Sequence, residues 1–387
     1  MKIFFIPTSY PDSQHPQRDI FIYEQAKELA RRGHEIVILH VQKLPSKSFF
    51  SPIDNRIIQL DDGFAIRFMT KQKTIMEGKL PGFNRDSFVA SVKRLYAYAL
   101  SIVGAPDVIY AHFSCWAGYA ASLLSKEYGV PLVSIEHYGH YLKGRISNQL
   151  KLAVNTTRAQ SDAFMCVSSN LKRCIENLSD IDKEIIVMPN MVDRQFNYVP
   201  VNKKEEFIFS SIGNLNQGKD FYRLIKAFSL AFGVNDKVKM RIGGGGPEKK
   251  KLEKLIRKLG RTNQIELLGR LTREQTISEY INCDAFALAS QFETFGMVYR
   301  EALVTGRPIV TTDHGGFSND DWHEEYGVKI PIKNTGALAN ALKSVVSNYS
   351  KYNGELISRI CLNDCSADRI GDKLEAILES ATKKAEK

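Results

Sequence analysis

Residues 285–312 spell one unit of a parallel sheet. The apolar run Ala285-Phe286-Ala287-Leu288-Ala289, bounded by Asp284 and Ser290, reads as a short buried strand. The loop Gln291-Phe292-Glu293-Thr294-Phe295-Gly296 follows, then a helix of about ten residues that stops before Gly306. Pro308 cannot continue that helix and opens the next strand, 308–312. Strand, tight loop, helix and strand are the unit from which parallel sheets are built.

Glu293 and Glu301 frame this unit. Were every residue between them helical, they would stand roughly 10 Å apart at about 1.5 Å per residue. That is too far for a carboxylate pair cooperating on one glycosidic bond, which needs ~5 Å. The two are therefore expected to have different tasks. Gly296 lets backbone come close to a ligand, and the free N–H groups at the helix start suit a phosphate. Glu301 is placed to accept hydrogen bonds from ribose hydroxyls. The bland alternative is one glutamate favoured by the helix dipole and one solvated on the helix surface.

The same pattern runs through the chain twice. Residues 1–6 read as a strand, 20–32 as an amphipathic helix stopped by Gly33, and 34–40 as a second strand. The loop between, 8–19, is long and polar and lies at a strand's carboxyl end, where open α/β sheets bind ligands. Further strands are read at 108–111 (ending in His112), 132–135 (ending in Glu136-His137), 165–167 and 185–188, with a helix from Ser169. His112 and His137, at the ends of neighbouring strands, either face one cleft or serve the core. Residues 194–206 are polar and read as a linker. Beyond it come a strand at 207–212, the turn 213–219, a helix over 220–232, a strand at 238–242 and the turn Gly243-Gly244-Gly245-Gly246-Pro247. Pro247 suits the first position of a helix reaching residue 259. The four-glycine turn is no Walker loop, since no glycine precedes Lys249 and no Ser or Thr follows it, but it permits close backbone approach. A strand at 265–268, Gly269-Arg270, a short helix near 273–281 and a terminal helix at 367–387 complete the reading. Two Rossmann-like domains facing a cleft are the natural architecture.

At 387 residues the chain has room for two domains of ordinary size, and 43% hydrophobic with 25% charged residues fits a soluble globular protein. No apolar run approaches the ~18–20 residues that span a bilayer. Residues 1–7 are too short for a signal peptide, so a cytoplasmic chain with reduced cysteines is expected. Cys361 and Cys365 can approach each other on a helix, but no His or Cys set surrounds them to hold a metal. The net charge of +10 points to an anionic partner. Without a zinc-finger, RNP-type or Arg-rich-helix signature, nucleic acid is set aside. Residues 64–97 carry Arg67, Lys71, Lys73, Lys79, Arg85, Lys93 and Arg94 against Glu77 and Asp86. The segment 88–103 places Phe88, Val92, Leu95, Tyr96, Ala99 and Ile102 on one helical face. It is either a core-packed helix with solvated basic residues or a basic surface for anionic lipid.

Glu293-x7-Glu301 with Phe295-Gly296 inside it, followed by Gly306-x-Pro308, is accompanied by Gly33-His34-Glu35, Pro189-Asn190-x-Val192-Asp193, Gly213-x-Leu215 with Lys219, Gly244-x-Gly246-Pro247 and Gly315-Gly316. In this order and spacing, over nearly the whole chain, the set resembles the retaining glycosyltransferases of family 4. The resemblance implies the α/β GT-B fold, with two Rossmann-like domains facing a central cleft. These would be an acceptor-binding domain over 1–193, a linker over 194–206, a nucleotide-sugar-binding domain over 207–365 and a helix over 366–387 crossing back to the first domain. It implies metal-independent, retaining transfer of a sugar from a UDP- or GDP-sugar to a glycan or polyprenyl-linked acceptor in cell-surface polysaccharide biosynthesis. The nucleotide sugar is the co-substrate and no cofactor is expected. The place is the cytoplasm, or the inner face of the cell membrane by peripheral attachment.

By the same resemblance Lys219 matches the lysine that holds the diphosphate. Glu301 matches the ribose-binding glutamate, and Glu293 the one addressing the sugar hydroxyls. His137 matches the histidine of the first domain that contacts the donor sugar. The amides of Gly296, Met297 and Val298 would meet sugar or diphosphate, and Gly244, Asn214 and Arg270 fall in the donor region. The leaving phosphate is expected to deprotonate the acceptor, so charge stabilisation matters more than a protein base. Asp180-Ile181-Asp182 is a D-x-D, the metal signature of the other main glycosyltransferase fold, but it reads as a solvated loop. There are two departures. Asn214 stands where the family has arginine, and Gln17-Arg18-Asp19 stands where it has glycine. Arg18 or Arg270 is expected to supply the missing cation and offset Asp19, or the first loop faces the acceptor. A nucleotide-sugar 2-epimerase on this fold and a non-catalytic nucleotide-sugar-binding subunit are the alternatives.

Overall fold

The computed structural model describes all residues except 13–14, 47–53, 76–80, 145, 202–204, 319–320 and 386–387. It divides into two compact units, Met1–Met191 with Ala367–Lys387, and Val192–Ser366.

The first unit runs β1 (Lys2–Pro7), α1 (Ile20–Arg31), β2 (Glu35–Ser46), β3 (Ile58–Asp61), β4 (Ala65–Ile75), α2 (Pro81–Val103), β5 (Val108–His112), α3 (Tyr119–Tyr128), β6 (Leu132–Glu136), α4 (Asn148–Gln160), β7 (Ala163–Cys166), α5 (Ser169–Leu178) and β8 (Ile185–Val187). Its sheet has the order β3-β4-β2-β1-β5-β6-β7-β8. Every pairing is parallel except that of β3 with β4. Ile3 to Ile6 of β1 and Val108 to Ala111 of β5 are wholly buried, as continuous apolar runs are in a sheet covered on both faces. Gly33, at φ +89°, ends α1 in a conformation that costs other residues more.

The basic stretch 64–97 departs from its reading. It contains β4, which pairs with β2 from Ile36↔Ala65 to Ser46↔Ile75. The helix behind it starts at Pro81, not near Phe88. Phe88, Val92, Leu95, Tyr96 and Ala99 are buried as expected, but Ile102 is 52% exposed because the helix end has left the core. Lys79 and Glu77 of that stretch lie outside the described residues.

The second unit runs β9 (Phe207–Ile212), α6 (Phe221–Ala231), β10 (Val238–Gly243), α7 (Lys249–Lys258), β11 (Ile265–Gly269), α8 (Arg273–Asn282), β12 (Ala285–Ala287), α9 (Met297–Val304), β13 (Ile309–Thr312), β14 (Gly327–Ile330), α10 (Thr335–Ser347) and α11 (Gly354–Cys365). Its sheet, β11-β10-β9-β12-β13-β14, is parallel throughout. Helix α7 starts at Lys249, two residues after the expected Pro247, because the Glu248 N–H is bonded to the Leu215 carbonyl of a neighbouring loop at 3.0 Å. The chain then returns to the first unit as α12 (Ala367–Ala385).

Candidate functional site

The loop after β9 and the loop after β12 are laced together. Asn216 accepts the Lys219 N–H through its side chain at 3.2 Å, which fixes the turn 217–219. The Gln291 N–H reaches the Gly218 carbonyl at 2.7 Å, and the Glu293 N–H the His314 carbonyl at 3.0 Å. This holds Lys219 against Glu293, whose Oε1 accepts from Lys219 Nζ and from Ser290 Oγ at 2.7 Å. Burial pushes the Glu293 carboxyl up, but Lys219 first, then His314 and the hydrogen bonds from Lys219 and Ser290, hold it below the ordinary value.

Gly296 caps α9 at φ +80°, and a Cβ there would come within 3.0 Å of Tyr299. Met297 and Val298 are the first helical residues, and their amides are among those a helix start leaves without an intrahelical partner. Glu301 is not a solvated surface residue. It is 4% exposed, accepts from Arg273 Nη1 at 2.6 Å on Oε1, and accepts from the Tyr280 hydroxyl at 3.1 Å on Oε2. Arg273 also reaches Asp193 at 3.4 Å. The two glutamates therefore sit in different environments, one against an ammonium and one against a guanidinium.

Sequence reasoning missed Ser290, His314, Arg273 and Tyr280. The Gly316 N–H donates to His314 Nδ1 at 2.9 Å, which puts the proton of the neutral ring on Nε2. Burial lowers the His314 pKa to about 4, against a pull upward from Glu293. Nε2 has no hydrogen-bond partner among the described residues. Its only signal in the sequence was its place at the end of β13.

The glycine turn packs closely against the turn after β9. At φ +146°, a Cβ on Gly244 would lie 1.9 Å from the Gly213 carbonyl oxygen, so the close approach is to the chain itself. Arg270 is exposed and lies along Gly245. Asn214 is exposed, with its carbonyl accepting the Asn216 N–H at 2.8 Å.

In the first unit Asp19 does not stand bare. It has φ +48°, its carboxylate accepts from the Ser9 hydroxyl, and burial raises its pKa against that bond and against Arg18, whose side chain is exposed. His137 Nε2 lies 3.3 Å from His112 Nδ1, so the two strand-end histidines do meet. The His137 ring packs on Phe21 at 4.5 Å and Phe113 at 5.0 Å, and burial lowers its pKa to about 3. The neighbouring Glu136 carboxylate is fully buried and accepts the N–H groups of Ser114, His137 and Tyr138, each at 2.8 Å, which fixes the turn.

Asp180 is exposed and pairs with Lys151 at 2.8 Å. Cys361 and Cys365 are buried thiols 3.6 Å apart on α11. Among the described residues no cluster of three or more His, Cys, Asp or Glu could hold a metal, and no helix is long and apolar enough to cross a membrane.

The chain is 25% identical over 254 residues to glycogen synthase of Mycobacterium tuberculosis, which covers 63% of this chain and 61% of that protein. Sucrose-phosphate synthase of Thermosynechococcus elongatus superposes with a TM-score of 0.80 at 16% identity, over 98% of this chain and 99% of that one. HepE of Anabaena, solved in complex with UDP-glucose, gives 0.72 at 17% identity, over 98% and 100%. These likenesses give the fold as GT-B. Residues 193–360 match the family Glycosyl transferases group 1, and residues 19–196 match Glycosyltransferase Family 4. The two matches together run from residue 19 to residue 360, and the chain belongs to the glycosyltransferases.

Proposed function

We propose that the protein transfers a sugar, with retention at the anomeric carbon, from a UDP- or GDP-sugar to a glycan or polyprenyl-linked acceptor of a cell-surface polysaccharide. The observation that carries this reading is the Lys219–Glu293 ion pair beside the amino end of α9. Breaking the anomeric C–O bond leaves negative charge on the departing phosphate. Lys219 and the amides of Met297 and Val298 offset that charge. For Lys219 to do so it leaves Glu293, and the freed carboxylate then accepts from sugar hydroxyls. Each residue of the pair thus keeps the other in place until the donor arrives.

Glu301, held by Arg273 and Tyr280, keeps lone pairs for the ribose. The departing phosphate takes the acceptor's proton, so no protein base or metal is needed. A chelator should leave transfer rates unchanged, and a metal-dependent rate would remove that part. His137 is a proposed sugar contact of the first unit, and His137→Ala should lower transfer. HepE of Anabaena, a structural neighbour, carries UDP-glucose, which favours UDP as the nucleotide.

Peripheral attachment to the inner face of the membrane is part of the proposal. Phe83, Tyr98 and Ile102 of α2 are exposed, with Lys93 and Arg94 on the same helix. Cosedimentation with anionic vesicles at low salt tests this, and a protein that stays in the supernatant removes it. The class itself is tested by calorimetric titration with UDP and GDP, then with their sugar conjugates. One nucleotide should bind, and one conjugate should bind selectively. If none binds, the reading fails, and the departures at Asn214 and Asp19 become the explanation.

A further inference from the structure

Arg300 precedes Glu301 on α9 and is 2% exposed. Its guanidinium is a cation with N–H donors and no acceptor. Among the described residues it makes no ion pair. What holds it is the Phe295 ring at 4.6 Å, the Phe317 ring at 4.1 Å and the Gly316 carbonyl, to which Nη2 donates at 3.4 Å. Nε is buried with no partner.

Phe295 belongs to the loop that carries Glu293, and Gly316 and Phe317 to the loop that carries His314. The two loops touch where the guanidinium joins them. A Cβ on Gly316 would lie 2.9 Å from Glu293 Cβ and 2.8 Å from His314 Cε1. Arg300 also springs from the first turn of α9, its own N–H reaching the Gly296 carbonyl at 3.3 Å.

A buried charge without a counter-ion is expensive, and two aromatic faces with one carbonyl offset only part of the cost. The other cations of the site are already matched: Lys219 by Glu293, and Arg273 by Glu301 and Asp193. Arg300 is the member of this set whose charge faces no carboxylate among the described residues. An anion at the amino end of α9 would balance it through a dry, low-dielectric wall, where such interactions act over longer distances than in water.

We propose that Arg300 is a positioning residue for the phosphates of a nucleoside diphosphate. Its buried guanidinium ties the Glu293 loop to the His314 loop and supplies positive charge beneath the amino end of α9. This rests on the nucleotide-sugar reading of the site. It also places a cation on the core side of a site whose rim carries Asn214 where the resembled family has arginine.

The test compares a nucleoside diphosphate with the matching nucleoside, by calorimetry on the full chain. The base is the one that wild type binds. Wild type comes first, and if it binds no diphosphate, the function reading fails independently of Arg300. Given wild-type binding, Arg300→Met should lose about tenfold or more in diphosphate affinity while nucleoside affinity stays within about twofold. Arg300→Lys should recover most of the loss. Should Arg300→Met fail to fold by its melting curve, Arg300→Gln takes its place, as a neutral side chain that keeps a polar N–H group near the position of Nε. Equal losses for nucleoside and diphosphate would make Arg300 purely structural. An unchanged diphosphate affinity in a folded neutral variant would overturn the proposal, as would an Arg300→Lys variant no better than Arg300→Met.

Discussion

Lys219 and Glu293 each have a measurable consequence for the other. Lys219→Ala should weaken diphosphate binding by ~1.5–3 kcal/mol, the range for a hydrogen bond to a charged group. Calorimetric titration checks it, and an unaltered affinity would mean that Lys219 is not the phosphate ligand. The same variant shifts a titration. In wild type the Glu293 carboxyl lies below its usual 4.5, so its stabilising contribution is complete above that pH and fades as pH falls through the folded value. Removing Lys219 takes away the strongest influence opposing burial and leaves only His314 and the Ser290 hydrogen bond against it, so the carboxyl pKa rises. Sugar-conjugate affinity of Lys219→Ala should therefore fail at a higher pH than that of wild type on acidification. Glu293→Ala should lose discrimination among sugar conjugates while the bare nucleotide still binds, and Glu301→Ala should weaken both alike. If Glu293→Ala abolishes nucleotide binding, the two roles are reversed. Glu293 and Glu301 were legible in the sequence because they frame one strand-loop-helix unit, whereas Lys219, in a distant turn, entered only through the family resemblance. The sequence did not carry Ser290, His314, Arg273 or Tyr280. Arg273 and Tyr280 lie on α8, a short helix whose facing toward α9 depends on how the sheet is ordered. The isolation of Arg300 is likewise invisible until the two phenylalanine rings are brought together.

The loop elements are set by packing of the chain against itself. The turn between β10 and α7 leans on the turn after β9 through Gly213 N–H to Gly243 O at 3.0 Å and Leu215 N–H to Gly245 O at 2.9 Å. Gly244→Ala meets both a backbone oxygen 1.9 Å from the new methyl and a φ of +146°. It should cost about 2–4 kcal/mol, as strain and overpacking combine. Gly33→Ala is the control, with φ +89° and nothing within 4 Å of the added carbon, and should cost only about 1–2 kcal/mol. Denaturant midpoints separate the two, and equal losses would show that the interlocked turns do not support each other. Because the leaned-upon turn leads into Lys219, Gly244→Ala should also weaken diphosphate binding, which Gly33→Ala should not. Elements with clean period and punctuation, β1, α1, β9 and α9, were legible in the sequence. The β3–β4 hairpin was not, because its lysine-rich strand Ala-Ile-Arg-Phe-Met-Thr-Lys-Gln-Lys reads as a solvated surface until β2 is there to pair with it. Neither were β14, α10 and α11, whose polar neighbours hide short apolar faces such as Leu338, Leu342 and Val345.

At the scale of the whole molecule, the first unit is built from both ends of the chain. Helix α12 follows the second unit in sequence but belongs to the first, where Ile370, Leu374 and Leu378 are wholly buried. Its acidic face meets the end of α1: Arg32 reaches Asp372 at 2.6 Å and Glu375 at 3.0 Å, and His34 reaches Glu375 at 2.9 Å. Asp372 is 72% exposed, so these ion pairs contribute little beside the burial. Burying three large aliphatic side chains is worth ~5–9 kcal/mol, which is comparable to the whole margin of ~5–15 kcal/mol that holds a domain folded. A chain ending at Ser366 should therefore lose the first unit's cooperative unfolding while Val192–Ser366 keeps its own. Leu374→Ala in the full chain, a cavity rather than a deletion, should lower the first unit's stability by ~2–5 kcal/mol and leave the second unchanged. Differential scanning calorimetry with limited proteolysis distinguishes the units by which fragments are cut first. Protection of the first unit in the truncated chain would mean that the strands β1 to β8 and helices α1 to α5 are stable alone, with α12 as an attachment. Loss of protection would show that α12 completes a core begun some 360 residues earlier, at β1 and α1.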